Sequence, residues 1–351
     1  MNPNLTDLFL DHLYALSRDP LPPEVREQAR LCLLDYRGAV AAGLEMRRKQ
    51  NDCFLAAVAA QSGNCRAEGL DTPVSLQNAA FLNAMNAHAA EVDDGQRQAQ
   101  IHLGASIISA LLPMAQIEAL PEDSILVGVV VGYEAAILAG RAMNPAHRQR
   151  GYHTSGTCGT IGVAMAVSAA LSFNRERMKT ALAAATGSAA GLLELQEDGS
   201  ELKPYNLAQA AVGGLTAAYC AKAGYVGPAD PVGGPRGLLS VLTENPKTEF
   251  LSRFESGKYQ IMTIYRKPYA ACRHAHSAIE AALAIRAEYG LDPDRIRSVR
   301  VDTYGMAIKG HDHKVLPGVA SAKMSIPFSV ADRPPRVCSA CRATNAAITR
   351  A

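Results

Sequence analysis

The stretch that organises this chain is Gly151 to Leu171, GYHTSGTCGTIGVAMAVSAAL. His153 precedes a run of Ser155, Gly156, Thr157, Gly159, Thr160 and Gly162, and a small-residue apolar segment follows that reads as a buried helix. A helix N-terminus presents unpaired N–H groups and partial positive charge, and glycine lets that backbone approach a ligand. One reading is therefore an anion cradle, with N–H groups around Gly156 and Thr157 beside a titratable ring. The other is a Gly/Thr-rich turn capping a core helix, with His153 on the surface. No lysine follows the glycines, so the phosphate-loop pattern is not met.

Working outward, apolar and polar residues alternate with helical spacing over most of the first two thirds. The predicted helices are a first one capped by Thr6, then Pro22–Ala42, Pro73–His88, Gly104–Ala119, Pro121–Met143, Arg175–Leu195 and Leu207–Ala223. Ile125–Met143 carries Glu134 and Arg141 and is flanked by other helices, so it reads as a core helix rather than a membrane span. Residues 225–257 are rich in Gly and Pro and mark a domain border. Beyond it, Tyr259–Tyr265 and Ile296–Tyr304 read as strands around a helix at Ser277–Tyr289. The expected fold is mostly α: an all-helical domain over 1–258, a smaller α+β lid over 259–331 and a disordered tail over 332–351.

Composition excludes several functions. Thirty-five Lys and Arg against 33 Asp and Glu leave +2, and aromatic content is 5% with no Trp, which argues against a nucleic-acid surface. Eight cysteines in 351 residues form no disulfide framework, and the N-terminus lacks the pattern of a signal peptide, so a cytoplasmic protein is expected. Cys338-x-x-Cys341 stands without a second pair. His274-x-His276 and His311-x-His313 have strand spacing for zinc but no partners at known spacing, so no metal is expected.

Polar residues interrupt the helices at four places: Glu91-Asp93-Asp94 with His102, then His153, then Lys203, then Lys267 with Arg273, His274 and His276. Each also has a plainer reading, as an acidic turn, a helix cap or surface lysines. If they converge, cations would hold carboxylates, a neutral histidine would move a proton, and positive charge would steady an enediolate-like dianion.

The same residues sit in NAHAAEVDDG (86–95), IHLGASIISALLPMA (101–115), the Gly151–Leu171 stretch, EDGSELKPYN (197–206), YRKPYAACRHAHSAIEAAL (265–283) and SAKMSIPFSVA (321–331). In that order these blocks resemble the MmgE/PrpD family, which includes 2-methylcitrate dehydratase, cis-aconitate decarboxylase and iminodisuccinate epimerase. The resemblance implies a helical domain with an α+β lid, a homodimer, and cofactor-free acid/base chemistry on a small di- or tricarboxylate. It carries His102, His153, Lys203 and Lys267 over as catalytic, with Asp93 and Asp94 as the family's acidic pair. Glu91, Gly156, Thr157, Arg273, His274 and His276 are expected to bind substrate. Gly95 stands where many members carry threonine, which looks more like the epimerase-like branch, and Leu103 replaces a proline after His102. The resemblance stops at Ala331, so the chain is expected to be a C-terminally shortened member. The alternative is a family member that dimerises and binds anions without turnover.

Overall fold

The computed structural model describes residues 4–61 and 63–331, which fall into two compact units. The first comprises residues up to 89, 93–194 and 203–266; the second comprises 90–92, 195–202 and the residues from 267. The contacts divide the chain at 266/267, and two short stretches of the helical part, 90–92 and 195–202, group with the second unit. The expected tail at 332–351, with Cys338 and Cys341, lies outside the described residues.

The first unit is helical: α1 (Leu5–Leu16), α2 (Pro23–Met46), α3 (Arg48–Ala57), α4 (Leu76–Ala87), α5 (Gly104–Glu118), α6 (Glu122–Met143), α7 (Ala146–Gln149), α8 (Thr154–Ala170), α9 (Arg175–Ser188), α10 (Lys203–Lys222) and α11 (Leu238–Leu242). Asn4, not Thr6, caps α1, accepting a hydrogen bond from the backbone N–H of Asp7. Thr6 instead donates to Asp230, at 2.5 Å, and ties the start of the chain to the loop before α11.

Helix α8 is the centre, packed against α5, α6, α9 and α10. Every residue from Thr154 to Ala170 is buried, as expected of a helix apolar on all sides. Its glycines let neighbouring backbones come close. A Cβ added at Gly162 would lie 2.8 Å from the carbonyl oxygen of Gly132 on α6, and one at Gly132 would lie 2.9 Å from that of Gly162. Helix α6 is long and apolar enough to cross a membrane, yet its apolar window is 83% buried inside the unit. Its buried Glu134 is paired: one oxygen meets His12 Nε2 at 2.9 Å, the other accepts the N–H of Gln260 at 2.8 Å. That satisfies a carboxylate which would be expensive to bury alone.

The second unit holds α12 (Arg273–Tyr289), α13 (Gly305–Ile308), α14 (Val319–Met324) and α15 (Ile326–Ala331), with α15 packed on α12 and α14. The expected strands do not form. In the first unit, Gln260–Thr263 is a 3₁₀ turn; in the second, residues 296–304 carry no regular structure, and Val299 and Val301 are exposed. Among the described residues there are isolated bridges but no ladder. An alternating pattern needs a neighbouring strand to satisfy its backbone, and here neither segment has one. In its described residues the second unit is therefore helical and irregular rather than α+β.

The α6–α8 contact yields a direct test. Gly162→Ala forces two backbones apart and is expected to lower stability by about 1–3 kcal/mol, read from the denaturant midpoint. Gly38→Ala, in the exposed interior of α2 with nothing near its Cβ position, is expected to raise stability by about 0.5–1 kcal/mol.

Candidate active site

The loop from α4 back to α5 carries the two aspartates, and their carboxylates part company. Asp94 turns into the N-terminus of α5. Its Oδ1 accepts the N–H groups of Gly104 at 3.0 Å and Leu103 at 3.3 Å, and its Oδ2 accepts the Tyr133 hydroxyl at 2.6 Å. Burial pushes this carboxyl up to about 6, against the pull of those three donors. Asp94 is thus taken up in holding the start of α5 and the middle of α6.

Asp93 faces histidines. Its Oδ2 lies 2.8 Å from His88 Nδ1 and 3.4 Å from His102 Nδ1. His88 follows α4 as its C-cap, and its ring centroid lies 4.7 Å from that of His102. His102 Nδ1 also reaches the Asp94 carbonyl at 2.8 Å, and its backbone N–H donates to Ser155 Oγ at 3.0 Å. A carbonyl only accepts, so Nδ1 carries the hydrogen and Nε2 is the basic nitrogen of the neutral ring.

His153 is the N-cap of α8 and is buried, not on the surface. Its backbone N–H donates to the Gly191 carbonyl at 3.0 Å. Gly191 adopts φ +139, and a Cβ there would crowd Gly156 and the His153 carbonyl. The ring's Nδ1 is buried with no hydrogen-bond partner among the described residues. Burial first, then the charge of Lys203 and the nearby rings of His88 and His102, hold His153 well below the ordinary imidazole range. Lys203 opens α10 and is itself buried. His88, Asp93, His102, His153 and Lys203 therefore occupy one region of the first unit.

The anion cradle at Gly156 and Thr157 is not built as the sequence suggested. Both N–H groups bond the His153 carbonyl, at 2.9 and 3.2 Å, and a Cβ at Gly156 would strike the Ala190 carbonyl. Thr157 Oγ1 meets His147 Nε2 at 2.8 Å. These residues pack the helix end instead of offering donors.

In the second unit, Lys267 Nζ donates to the carbonyl of Glu91 at 3.1 Å and to its Oε2 at 3.0 Å, both side chains being buried. Glu91 holds φ +56, a left-handed conformation uncommon outside glycine, so the acidic triplet is split between the units. His276 Nε2 contacts the Ala271 carbonyl at 3.1 Å, and burial lowers its ring to about 4, with Lys267 and Arg273 adding to the fall. His274 lies beside Tyr304, its Nδ1 2.5 Å from the phenol oxygen. Arg273 begins α12.

Two residues escaped the sequence reading. His88 looked like part of a helical run, although its spacing of five from Asp93 at a helix end was the available signal. Tyr133 lies in the largely apolar Ile125–Met143 run, next to Glu134, and nothing in that run marks its hydroxyl as a partner for Asp94.

Two family models match the chain: the MmgE/PrpD N-terminal domain over residues 9–251 and the MmgE/PrpD C-terminal domain over residues 269–332. Both domains of the family are thus represented in this chain. A cis-aconitate decarboxylase-like protein of Aspergillus oryzae is 27% identical over 315 residues, 83% of this chain. The chain spans 63% of the length of that relative. With the family pattern matched across the helical unit and into the second, the chain belongs to the MmgE/PrpD family.

Proposed function

We propose that this protein is an enzyme that abstracts a proton α to a carboxylate of a small di- or tricarboxylate without a cofactor. The observation that carries the reading is His153: a buried, neutral imidazole whose Nδ1 has no hydrogen-bond partner among the described residues, under the influence of the Lys203 charge. A neutral ring can accept a proton at once, whereas a protonated one cannot.

In this mechanism His153 takes the α-proton, and the electron pair of the C–H bond moves toward the substrate carboxylate. Lys203 supplies the positive charge that steadies the resulting dianion, and in a water-poor site such a charge acts strongly. His102, oriented by Asp93 and by the Asp94 carbonyl, supplies a proton from Nε2 once that nitrogen is protonated. Delivered to the opposite face of the same carbon, the proton completes an epimerisation. Delivered to a departing β-hydroxyl, it completes a dehydration with loss of water. For decarboxylation the C–C bond breaks instead: CO2 leaves, the electron pair stays on carbon, and protonation of that carbon closes the cycle. Gly95, in place of the threonine of many members, favours epimerisation, because one hydroxyl that could assist a leaving group is absent.

The second unit is assigned a lesser part. Lys267 is ion-paired with Glu91 and His276 is driven neutral, so the chemistry is placed on the first unit's residues.

Assays with cis-aconitate, 2-methylcitrate and iminodisuccinate are expected to show turnover of one of them. His153→Ala is expected to lower kcat by about 10²–10⁴-fold. Equal turnover by wild type and variant removes His153 from the mechanism, and citrate-like anion binding without turnover by the wild type favours an inactive anion-binding protein. Lys203→Met is expected to reduce kcat/KM by at least about tenfold and to weaken binding of citrate-like anions, read by calorimetry.

The pH profile carries its own sign. A histidine with a lowered pKa stays neutral below the ordinary imidazole value of about 6.5. The acid limb of kcat/KM is therefore expected well under that value, because the base is lost only when pH falls through the depressed pKa. Stability follows the same group: it falls as pH drops from about 6.5 toward the depressed pKa, because the unfolded chain binds that proton more readily. Urea titrations at a series of pH values read this slope, and His153→Phe should flatten it.

A further inference from the structure

The second unit contains a cluster that the proposed chemistry does not use. Cys272, His274 and His311 each offer one ligand atom, and the three atoms lie within 4.8 Å of one another. They come from distant parts of the chain: Cys272 and His274 from the start of α12, His311 from the turn after α13. We propose that these three side chains form a binding site for a borderline-soft divalent cation of the zinc class.

The donor set is the first argument. One thiolate and two imidazoles suit zinc or a similar late transition ion and do not suit magnesium or calcium. Spacing is the second. Ligands at about 2.0–2.3 Å from a tetrahedral ion stand about 3.5 Å apart. Here Cys272 Sγ and His311 Nε2 are 3.9 Å apart, and the His274 and His311 ring centroids are 5.2 Å apart. Small side-chain rotations close the set.

The surrounding bonds are the third argument, because they orient the ligands without the ion. His311 Nδ1 lies 3.0 Å from the Met324 carbonyl, so that nitrogen carries the hydrogen and Nε2 turns its lone pair toward Cys272. A carbonyl behind the far nitrogen is the usual support of a metal-binding histidine. The His274 ring is held in turn by the Tyr304 phenol at 2.5 Å. Backbone bonds fix the frame: the Cys272 N–H donates to the Lys323 carbonyl at 2.8 Å, and the Ile326 N–H donates to the His311 carbonyl at 2.8 Å. Cys272 and His311 thus hang from the same short segment, 323–326.

The site is also not the one that spacing alone suggested. The two His-x-His pairs do not act as pairs. Helix α12 separates His276 from His274, and His276 turns to the Ala271 carbonyl. His313 turns to Ser321, 2.9 Å from its hydroxyl and 3.1 Å from its carbonyl. One histidine of each pair meets a cysteine that the pattern did not include. Three protein ligands leave a fourth position for water or an anion.

The test uses the full chain, stripped with a chelator, in a Cys338→Ser/Cys341→Ser background that removes the other cysteine pair. Zinc is titrated against a chromophoric competitor, and bound metal is counted by mass spectrometry. One equivalent per chain is expected, with a raised Tm and, on replacing zinc by cobalt, a thiolate-to-cobalt charge-transfer band. Cys272→Ser and His311→Ala should each weaken zinc by at least about tenfold, while His276→Ala and His313→Ala should retain it. Absence of stoichiometric zinc, or a cobalt spectrum without the thiolate band, overturns the proposal. So does zinc that is lost with His88→Ala but kept in Cys272→Ser. The cobalt spectrum is read without altering Cys272, so the proposal stays falsifiable even if Cys272→Ser does not fold.

Discussion

The close approach of α6 and α8 is the constraint on which the first unit rests. Gly132 and Gly162 bring the two backbones within a distance that no side chain tolerates. Dispersion contacts then extend along two helices whose facing residues are mostly Ala, Gly and Val. This packing carries the N-cap of α8 into the interior, where His153 is buried. The imidazole's neutrality is thus a consequence of helix packing, and the charge of Lys203 at the head of α10 sharpens it.

Around that helix, three buried carboxylates have distinct partners. Glu134 is held by His12 and a backbone N–H, Asp94 by Tyr133 and the start of α5, and Asp93 by His88 and His102. Two adjacent aspartates therefore do different work. Asp94 sits against the positive end of a helix and braces the fold, while Asp93 stands beside two rings able to carry protons. The difference follows from which way each side chain leaves the same loop.

The second unit runs on other terms. Its buried ion pair joins Lys267 to Glu91, a residue of the short stretch 90–92 that groups with this unit, and Glu91 itself holds a left-handed backbone conformation. Near the start of α12, a thiol and two imidazoles share one spot while their sequence neighbours turn elsewhere. Nothing in the spacing of those histidines announces this, because the pairing depends on segment 323–326 passing beneath both Cys272 and His311.

By itself the sequence determined the helical character, since period and composition are local properties that burial of one face reinforces. The order of α4, α5, α6, α8, α9 and α10, the glycine-rich entry to α8 and the interruptions at His102, His153, Lys203 and Lys267 were legible, whereas the short α7 was not. The strands were not, because a β pattern states a preference that only a neighbouring strand can satisfy, and 296–304 has none among the described residues. Tertiary structure alone decided that Gly156 packs a helix instead of cradling an anion, that His153 is buried, and that His88 and Tyr133 share the acidic loop. Those outcomes depend on which distant backbones meet, and hydrogen bonds and desolvation act on that proximity rather than on sequence spacing.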